Sequence, residues 1–219
     1  MRGPGAPLAA DDRRVASITA GAVIDLGCGS RKRHPDWIGI DALDFPGVDI
    51  IGDATVALSG MADGSVAGVF SSHFFEHVTD VAALMREVTR VVAPGGRIEI
   101  VVPHFSNAYF YSDPTHRTAF GLYSMAYFVE ETPFRREVPV YGDALPLELT
   151  DVTLRFKASP PFYVRYVARR AVQWMVNRSR WAQEFYEDNL TWIIPCYELR
   201  FELRRALTGD APSAGAPTG

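Results

Sequence analysis

The stretch Val23-Ile24-Asp25-Leu26-Gly27-Cys28-Gly29 decides the fold. It is a short apolar run, as expected of a parallel strand covered on both faces. The glycines after it allow a sharp turn and let a ligand approach bare backbone. Asp25 adds an acid two residues before the first glycine. Together these features mark the mouth of a nucleotide-type pocket beyond the strand ends of an open α/β sheet. A dinucleotide fingerprint, Gly-x-Gly-x-x-Gly, would need its third glycine at Lys32, and the Gly-Lys-Ser/Thr ending of a phosphate loop is absent.

Working outward, apolar runs predict strands at 22–26, 37–41, 48–53 and 66–72. Asp80 can cap a helix with Val81, Leu84, Met85, Val88, Val91 and Val92 at helical spacing, and Pro94-Gly95-Gly96 ends it. A fifth strand follows at 97–102, closed by Pro103-His104. Strands alternating with helices imply a parallel sheet with helices on both faces. The link at 30–36 is too short for a crossover helix, and it is basic: Arg31, Lys32, Arg33, His34. Beyond 104 the pattern changes to an aromatic-rich stretch, 105–127. Two alternating strands, 150–156 and 197–204, then flank a helical segment at about 161–187 and complete the sheet at one edge. The Gly/Pro/Ala-rich ends, 1–10 and 208–219, read as frayed tails, and Val15 and Ile18 suggest a helical turn. The expectation is one domain over 11–207, with an insert at about 104–148 and a helical segment at about 160–190.

At 219 residues, with 47% hydrophobic and 22% charged, the chain has the composition of a soluble globular domain. A net charge of −4 gives no basic field, so no nucleic-acid partner is expected. Two cysteines, Cys28 and Cys196, make no disulfide framework, and no signal or membrane-spanning run is present. The expected location is cytoplasmic.

Three acids close successive strands. Asp41 can accept both ribose hydroxyls of a nucleotide-like ligand, and Asp53 the adenine amino group. The alternative for any one of them, Asp25 included, is a loop cap. With these positions in hand, Asp-Leu-Gly-Cys-Gly (25–29), Ile-Gly-Ile-Asp (38–41), Gly-Asp-Ala (52–54), Ser-Ser-His-Phe-Phe-Glu-His-Val (71–78) and Arg-Val-Val-Ala-Pro-Gly-Gly-Arg (90–97) stand in a telling order. That order resembles the class I S-adenosylmethionine-dependent methyltransferases, a small bacterial type 11-like subgroup, over about residues 20–130. The resemblance implies a Rossmann-like, mostly parallel seven-stranded sheet with helices on both faces and a C-terminal helical and aromatic insert. It also implies S-adenosyl-L-methionine as cofactor, held by Asp25, Gly27, Gly29, Asp41, Asp53, Ala54, Ser72 and His73. The sequence departs from the family in having Arg31 where glycine is frequent, and in the shortened link after it. No Asn/Asp-Pro-Pro-Tyr follows strand four, which argues against the adenine and glutamine amide methylases.

On the acceptor side, His104 follows strand five, and Asp113-Pro114-Thr115-His116 resembles a segment of the same bacterial subgroup. A hydroxyl or ammonium acceptor must lose a proton, so His104, His116 and Asp113 are the catalytic candidates. The alternative is that both histidines satisfy backbone groups in an aromatic lid. His73-Phe74-Phe75-Glu76-His77 matches the inverted zinc-protease pattern, but that pattern needs a long helix and a later acid. No metal centre is expected, although His104, Asp113 and His116 form an alternative two-histidine, one-carboxylate set. Glu76 and His77 are read as holding a turn. No acid lies between Asp151 and Glu184, a segment that carries seven arginines and lysines interleaved with Tyr163, Tyr166, Trp174 and Trp181. It reads as a lid or homodimer helix, or as a contact with an anionic substrate or a membrane surface. The expected activity is methyl transfer to a small-molecule acceptor: a hydroxyl of a sugar or natural product first, an amine second. The alternatives are a catalytically silent methyltransferase-like binding protein and an NAD-dependent oxidoreductase.

Overall fold

The computed structural model describes residue 18 and residues 21–139, 144–158 and 163–207. The two predicted tails, and Val15 of the predicted helical turn, lie outside the described residues.

One sheet organises the described residues. β1 (Val23–Leu26), β2 (Ile38–Asp41), β3 (Ile50–Ile51), β4 (Val66–Ser72) and β5 (Val92–Pro103) are joined by parallel pairings. β7 (Glu198–Arg205) runs antiparallel between β5 and β6 (Leu147–Arg155), giving the order β3-β2-β1-β4-β5-β7-β6. The chain winds one way from β1 to β3 and the other way from β4, so the crevice beyond Leu26 is the topological switch point where open α/β sheets bind ligands. Ile24, Leu26 and Asp25 are all buried, as a strand covered on both faces demands.

Several predicted boundaries shift, each for a local reason. The third strand is two residues long rather than six, and Gly52-Asp53 then turns the chain into a helix the sequence pattern did not announce, α1 (Ala54–Ser59). Asp53 caps it by accepting the Val56 N–H. α2 (Val81–Val91) is as expected: the Asp80 carboxylate accepts the Ala83 N–H at 2.8 Å, and Leu84, Met85, Val88 and Val91 are buried. Burying side chains of that size contributes about 1.5–3 kcal/mol each. Pro94-Gly95-Gly96 does not separate α2 from β5, because β5 begins at Val92. Pro94 has no N–H to give a ladder, and it is tolerated where the β4–β5 register slips between Val66 and Gly68.

The single predicted helix at 161–187 is two: α3 (Tyr163–Val176) and α4 (Arg180–Asn189). Asn177 interrupts it, its side chain bonding both the N–H and the carbonyl of Leu154 on β6. Ser179 then caps α4 through the Ala182 N–H. On β7 the predicted alternation holds for Leu199, Phe201 and Leu203, which are buried. The opposite face carries Glu198, Arg200, Glu202 and Arg204, and one of its carboxylates is buried: Glu198 is 1% exposed. The aromatic stretch is tied to the strand ends by His104–Phe120 bridging and by the N–H groups of Arg117 and Thr118, which donate to the Glu76 carbonyl.

Candidate functional site

Gly27 and Gly29 both adopt the left-handed backbone, φ +66° and +57°, which bends the chain sharply off β1. The turn is pinned to β2: the Gly27 N–H donates to the Ile40 carbonyl at 2.8 Å, and the Gly29 N–H to Asp41 Oδ2 at 2.8 Å. Asp41 Oδ1 accepts the Leu43 N–H at 2.9 Å. A carboxylate offers about four lone-pair sites, so Asp41 keeps acceptor capacity on both oxygens. A side chain built at Gly29 would meet nothing within 4 Å, so open space lies before the loop. That space and the acceptors beside it fit a ribose-bearing ligand. Gly27 differs. A Cβ there would fall 2.4 Å from the Phe74 Cβ, so its bare face is taken by Phe74 rather than presented to a cofactor.

Of the other predicted cofactor residues, Asp25 is turned inward. Its Oδ2 accepts the Arg33 N–H at 2.7 Å, tying down the short basic link, and burial pushes its carboxyl up. Its role in the structure is to hold the loop rather than to face a ligand. Asp53 uses Oδ1 as the helix cap, and it is exposed; Ala54 beside it is buried. The loop-cap alternative is therefore realised for one oxygen of Asp53. Ser72 ends β4, half-buried.

His73 follows at φ +55°, the one described non-glycine residue in the left-handed region. Such a backbone costs about 1–3 kcal/mol and persists only when its surroundings impose it. Here they are two acids: Nε2 lies 3.4 Å from Glu198 and Nδ1 lies 3.4 Å from Glu76. Hydrogen bonding to Glu198 and Glu76, against burial, raises His73 to about 9. It is an imidazolium at neutral pH. Glu198 also receives Arg155 at 3.0 Å and Lys157 at 2.7 Å. Burial opposes its charge, but His73, Lys157 and Arg155 outweigh that and hold it at about 2. Glu198 was missed by sequence reasoning, since an alternating strand gives a buried acid the same signature as a solvated one.

The three predicted catalytic residues separate. His104 is fully buried; the Ser106 N–H donates to its Nδ1 at 3.0 Å. The ring proton is therefore on Nε2, 3.0 Å from Glu187 Oε2. With both nitrogens engaged and the ring fully buried, His104 offers no lone pair for an acceptor's proton; it satisfies one backbone group, the Ser106 N–H, and one side chain, Glu187. His116 and Asp113 do come together, with Nε2 3.7 Å from Oδ2. The His116 Nδ1–H donates to the Phe110 carbonyl at 2.8 Å, which leaves Nε2 with the basic lone pair. Asp113 accepts the Thr115 N–H and hydroxyl, and these bonds hold its carboxyl below the usual range.

The fold and the glycine turn define a Rossmann-like nucleotide-cofactor protein, and the comparisons narrow the class. Residues 24–100 match the type 11 family model described as a methyltransferase domain. A SAM-dependent methyltransferase from Archaeoglobus fulgidus superposes with a TM-score of 0.50 at 18% identity, covering 88% of each chain. The phosphoethanolamine N-methyltransferase 2 of Haemonchus contortus, bound to S-adenosyl-L-methionine, gives 0.48 at 15% identity, over 90% of this chain and 51% of that one. Geranyl diphosphate C-methyltransferase from Streptomyces coelicolor gives 0.43 at 16%, over 86% and 74%. No curated protein sequence matches the chain. Residues 24–100 thus match a methyltransferase domain, and the sheet around them has the fold of a SAM-dependent methyltransferase; S-adenosyl-L-methionine is the methyl donor that this match implies.

Proposed function

We propose that the enzyme methylates a hydroxyl of a small sugar or natural product, with an amine as the second choice, in a reducing, cytoplasmic compartment. The observation that carries this is the His116 ring: Phe110 holds its tautomer, and Asp113 stands 3.7 Å from Nε2. When bound, S-adenosyl-L-methionine supplies an electrophilic methyl group on sulfonium. Asp41 and the Gly29 turn bind and orient the adenosine end. The His116 Nε2 lone pair takes the proton that a hydroxyl must shed. Tyr109 and Tyr111, both more than 60% exposed, flank Phe110, whose ring lies 4.9 Å from that of His116, and they offer apolar faces and hydroxyls suited to a sugar or a polycyclic acceptor. The test is methyl-group turnover against a panel of sugar and natural-product alcohols beside matched amines. Turnover of neither class removes the acceptor assignment.

A second reading concerns where the enzyme works. Val164, Val167, Trp174 and Met175 on α3, and Trp181 and Phe185 on α4, are large apolar residues left exposed. Arg165, Arg170 and Arg178 flank them, Arg178 lying over the Trp174 ring at 4.6 Å. Apolar rings fringed by arginines, with no acid from 152 to 183, complement an anionic lipid surface. Among the described residues no helix is long and apolar enough to cross a membrane. Co-sedimentation with phosphatidylserine vesicles that fades with salt is expected. A dimer in solution with no vesicle binding would instead assign this face to a second copy.

A further inference from the structure

Glu76, His77 and His116 converge where the turn after β4 meets the aromatic insert. One donor atom from each lies within 4.8 Å of the others. Their hydrogen bonds fix which atoms are free. A carbonyl can only accept, so His116 carries its proton on Nδ1, toward Phe110, and its lone pair on Nε2. The Thr115 hydroxyl spends its own proton on Asp113 Oδ1 at 2.6 Å. At 3.0 Å from His77 Nδ1 it therefore accepts the ring N–H, which leaves the His77 lone pair on Nε2 as well. Two histidines whose outer N–H groups are held by oxygen acceptors are oriented as metal-binding histidines are.

The third member carries an independent sign. Glu76 is 1% exposed, and its Oε2 is buried without a hydrogen-bond partner among the described residues. A carboxylate oxygen left bare in the interior costs about 1–3 kcal/mol or more, and such a group calls for a ligand. Two imidazole nitrogens and a carboxylate oxygen suit zinc and its transition-metal neighbours better than magnesium or calcium, and three protein ligands leave a coordination position open. We propose that Glu76, His77 and His116 bind one divalent transition-metal ion of the zinc class, with Thr115 and Asp113 orienting His77 from behind. Tetrahedral ligands at about 2.0–2.1 Å from zinc sit about 3.3 Å apart, a closure the exposed His77 side chain can supply by rotation. The ligand set is not that of the literal His-x-x-Glu-His pattern, because His73 is turned to Glu198 and His116 takes its place. Nor does it agree with the sequence-based expectation of no metal.

The inference rests on the methyltransferase reading only for the ion's neighbour, an acceptor oxygen at the open position: with the ion bound, the His116 Nε2 lone pair is a ligand, and the ion rather than the ring makes that hydroxyl acidic, so the ring acts as base only in the ion-free protein; the test reads ion binding rather than turnover. Untagged, chelator-stripped protein is titrated with Zn²⁺ by calorimetry, and with Co²⁺ by its visible d–d absorption. One ion per chain is expected. The His77→Ala/His116→Ala double variant should bind at least about 100-fold more weakly. Thr115→Val, which keeps all three ligands, should bind about 10–100-fold more weakly. His34→Ala, at an exposed position outside the cluster, should match the wild type. Absence of stoichiometric binding, or binding by the double variant as tight as wild type, overturns the site, as does an unchanged affinity in folded Thr115→Val. None of these results would bear on whether the enzyme transfers methyl groups.

Discussion

Replacing Glu198 with Gln tests whether the buried ion cluster imposes the strained backbone at His73. The carboxyl falls from an ordinary 4.5 to about 2 in the folded protein. At 1.36 kcal/mol per tenfold step, that is worth about 3 kcal/mol of folding free energy. This stability is present above pH 4.5 and is lost as pH falls toward 2. His73 rises from 6.5 to about 9, so its share is complete below pH 6.5 and is lost as pH climbs through 9. Its side chain is 43% exposed, and solvent screening cuts that share to about 1 kcal/mol, part of it the same attraction seen from the other partner. The stability plateau therefore spans about pH 4.5–6.5. Glu198→Gln strips His73, Lys157 and Arg155 of a shared counter-charge and should cost about 2–3 kcal/mol at pH 6. For a 219-residue chain that corresponds to about 5–10 °C in Tm. Urea unfolding of both proteins from pH 5 to 10 is the assay, and the gap between them should narrow by up to about 1 kcal/mol by pH 9.5. A gap below about 0.5 kcal/mol, or one equally wide at pH 6 and pH 9.5, would refute the cluster's role.

Three further outcomes follow from the site. Asp41→Ala should weaken S-adenosylhomocysteine by about 1–3 kcal/mol in calorimetry, through lost ribose hydrogen bonds, and NAD binding in its place would sink the cofactor assignment. His116→Ala should lower methyl transfer about 10²–10⁴-fold with cofactor affinity unchanged, whereas His104→Gln should leave the shape of the pH–rate profile as it is; the opposite pattern would restore His104 as the base. Gly27→Ala should be destabilised by strain at φ +66° and by collision with Phe74, and adding Phe74→Ala should recover only the share due to the ring, since the Phe74 Cβ at 2.4 Å and the strain both remain; a single variant as stable as wild type contradicts both.

The sequence made the parallel half of the sheet legible because buried parallel strands advertise themselves as apolar runs, and Asp80 and Ser71-Ser72 stand where caps and strand ends were expected. It hid α1, whose six residues are too few to show a helical period, and it hid the break at Asn177, whose side chain acts on β6 across 23 residues. It also misplaced the start of β5, since Pro94-Gly95-Gly96 carries the same turn chemistry whether it ends a helix or fills a slipped register. Among the acids, position at a strand end was readable and orientation was not. Asp41 is half-buried and holds the glycine turn through the Gly29 N–H, Asp25 is buried and holds the basic link through the Arg33 N–H, and only the folded chain distinguishes them.

The histidines show the same limit most sharply. Four of them fall between residues 73 and 116, and the sequence singles out two, His104 and His116, as candidate bases. What separates them is the atom each ring meets. His73 meets two acids and becomes a cation; His104 meets Glu187, 83 positions away, and becomes a buried strut. His77 and His116 instead give one N–H to neutral oxygen acceptors and so retain a lone pair each. A neutral acceptor on one nitrogen is what keeps the other basic, whether a proton or a metal ion is to be taken up. The acceptors, Phe110 and Thr115, lie in the same aromatic insert as His116, and His77 is brought to it when Arg117 and Thr118 bond the Glu76 carbonyl. The insert thus does more than cover the strand ends: it fixes which ring nitrogen of His77 and of His116 points its N–H outward and which keeps its lone pair.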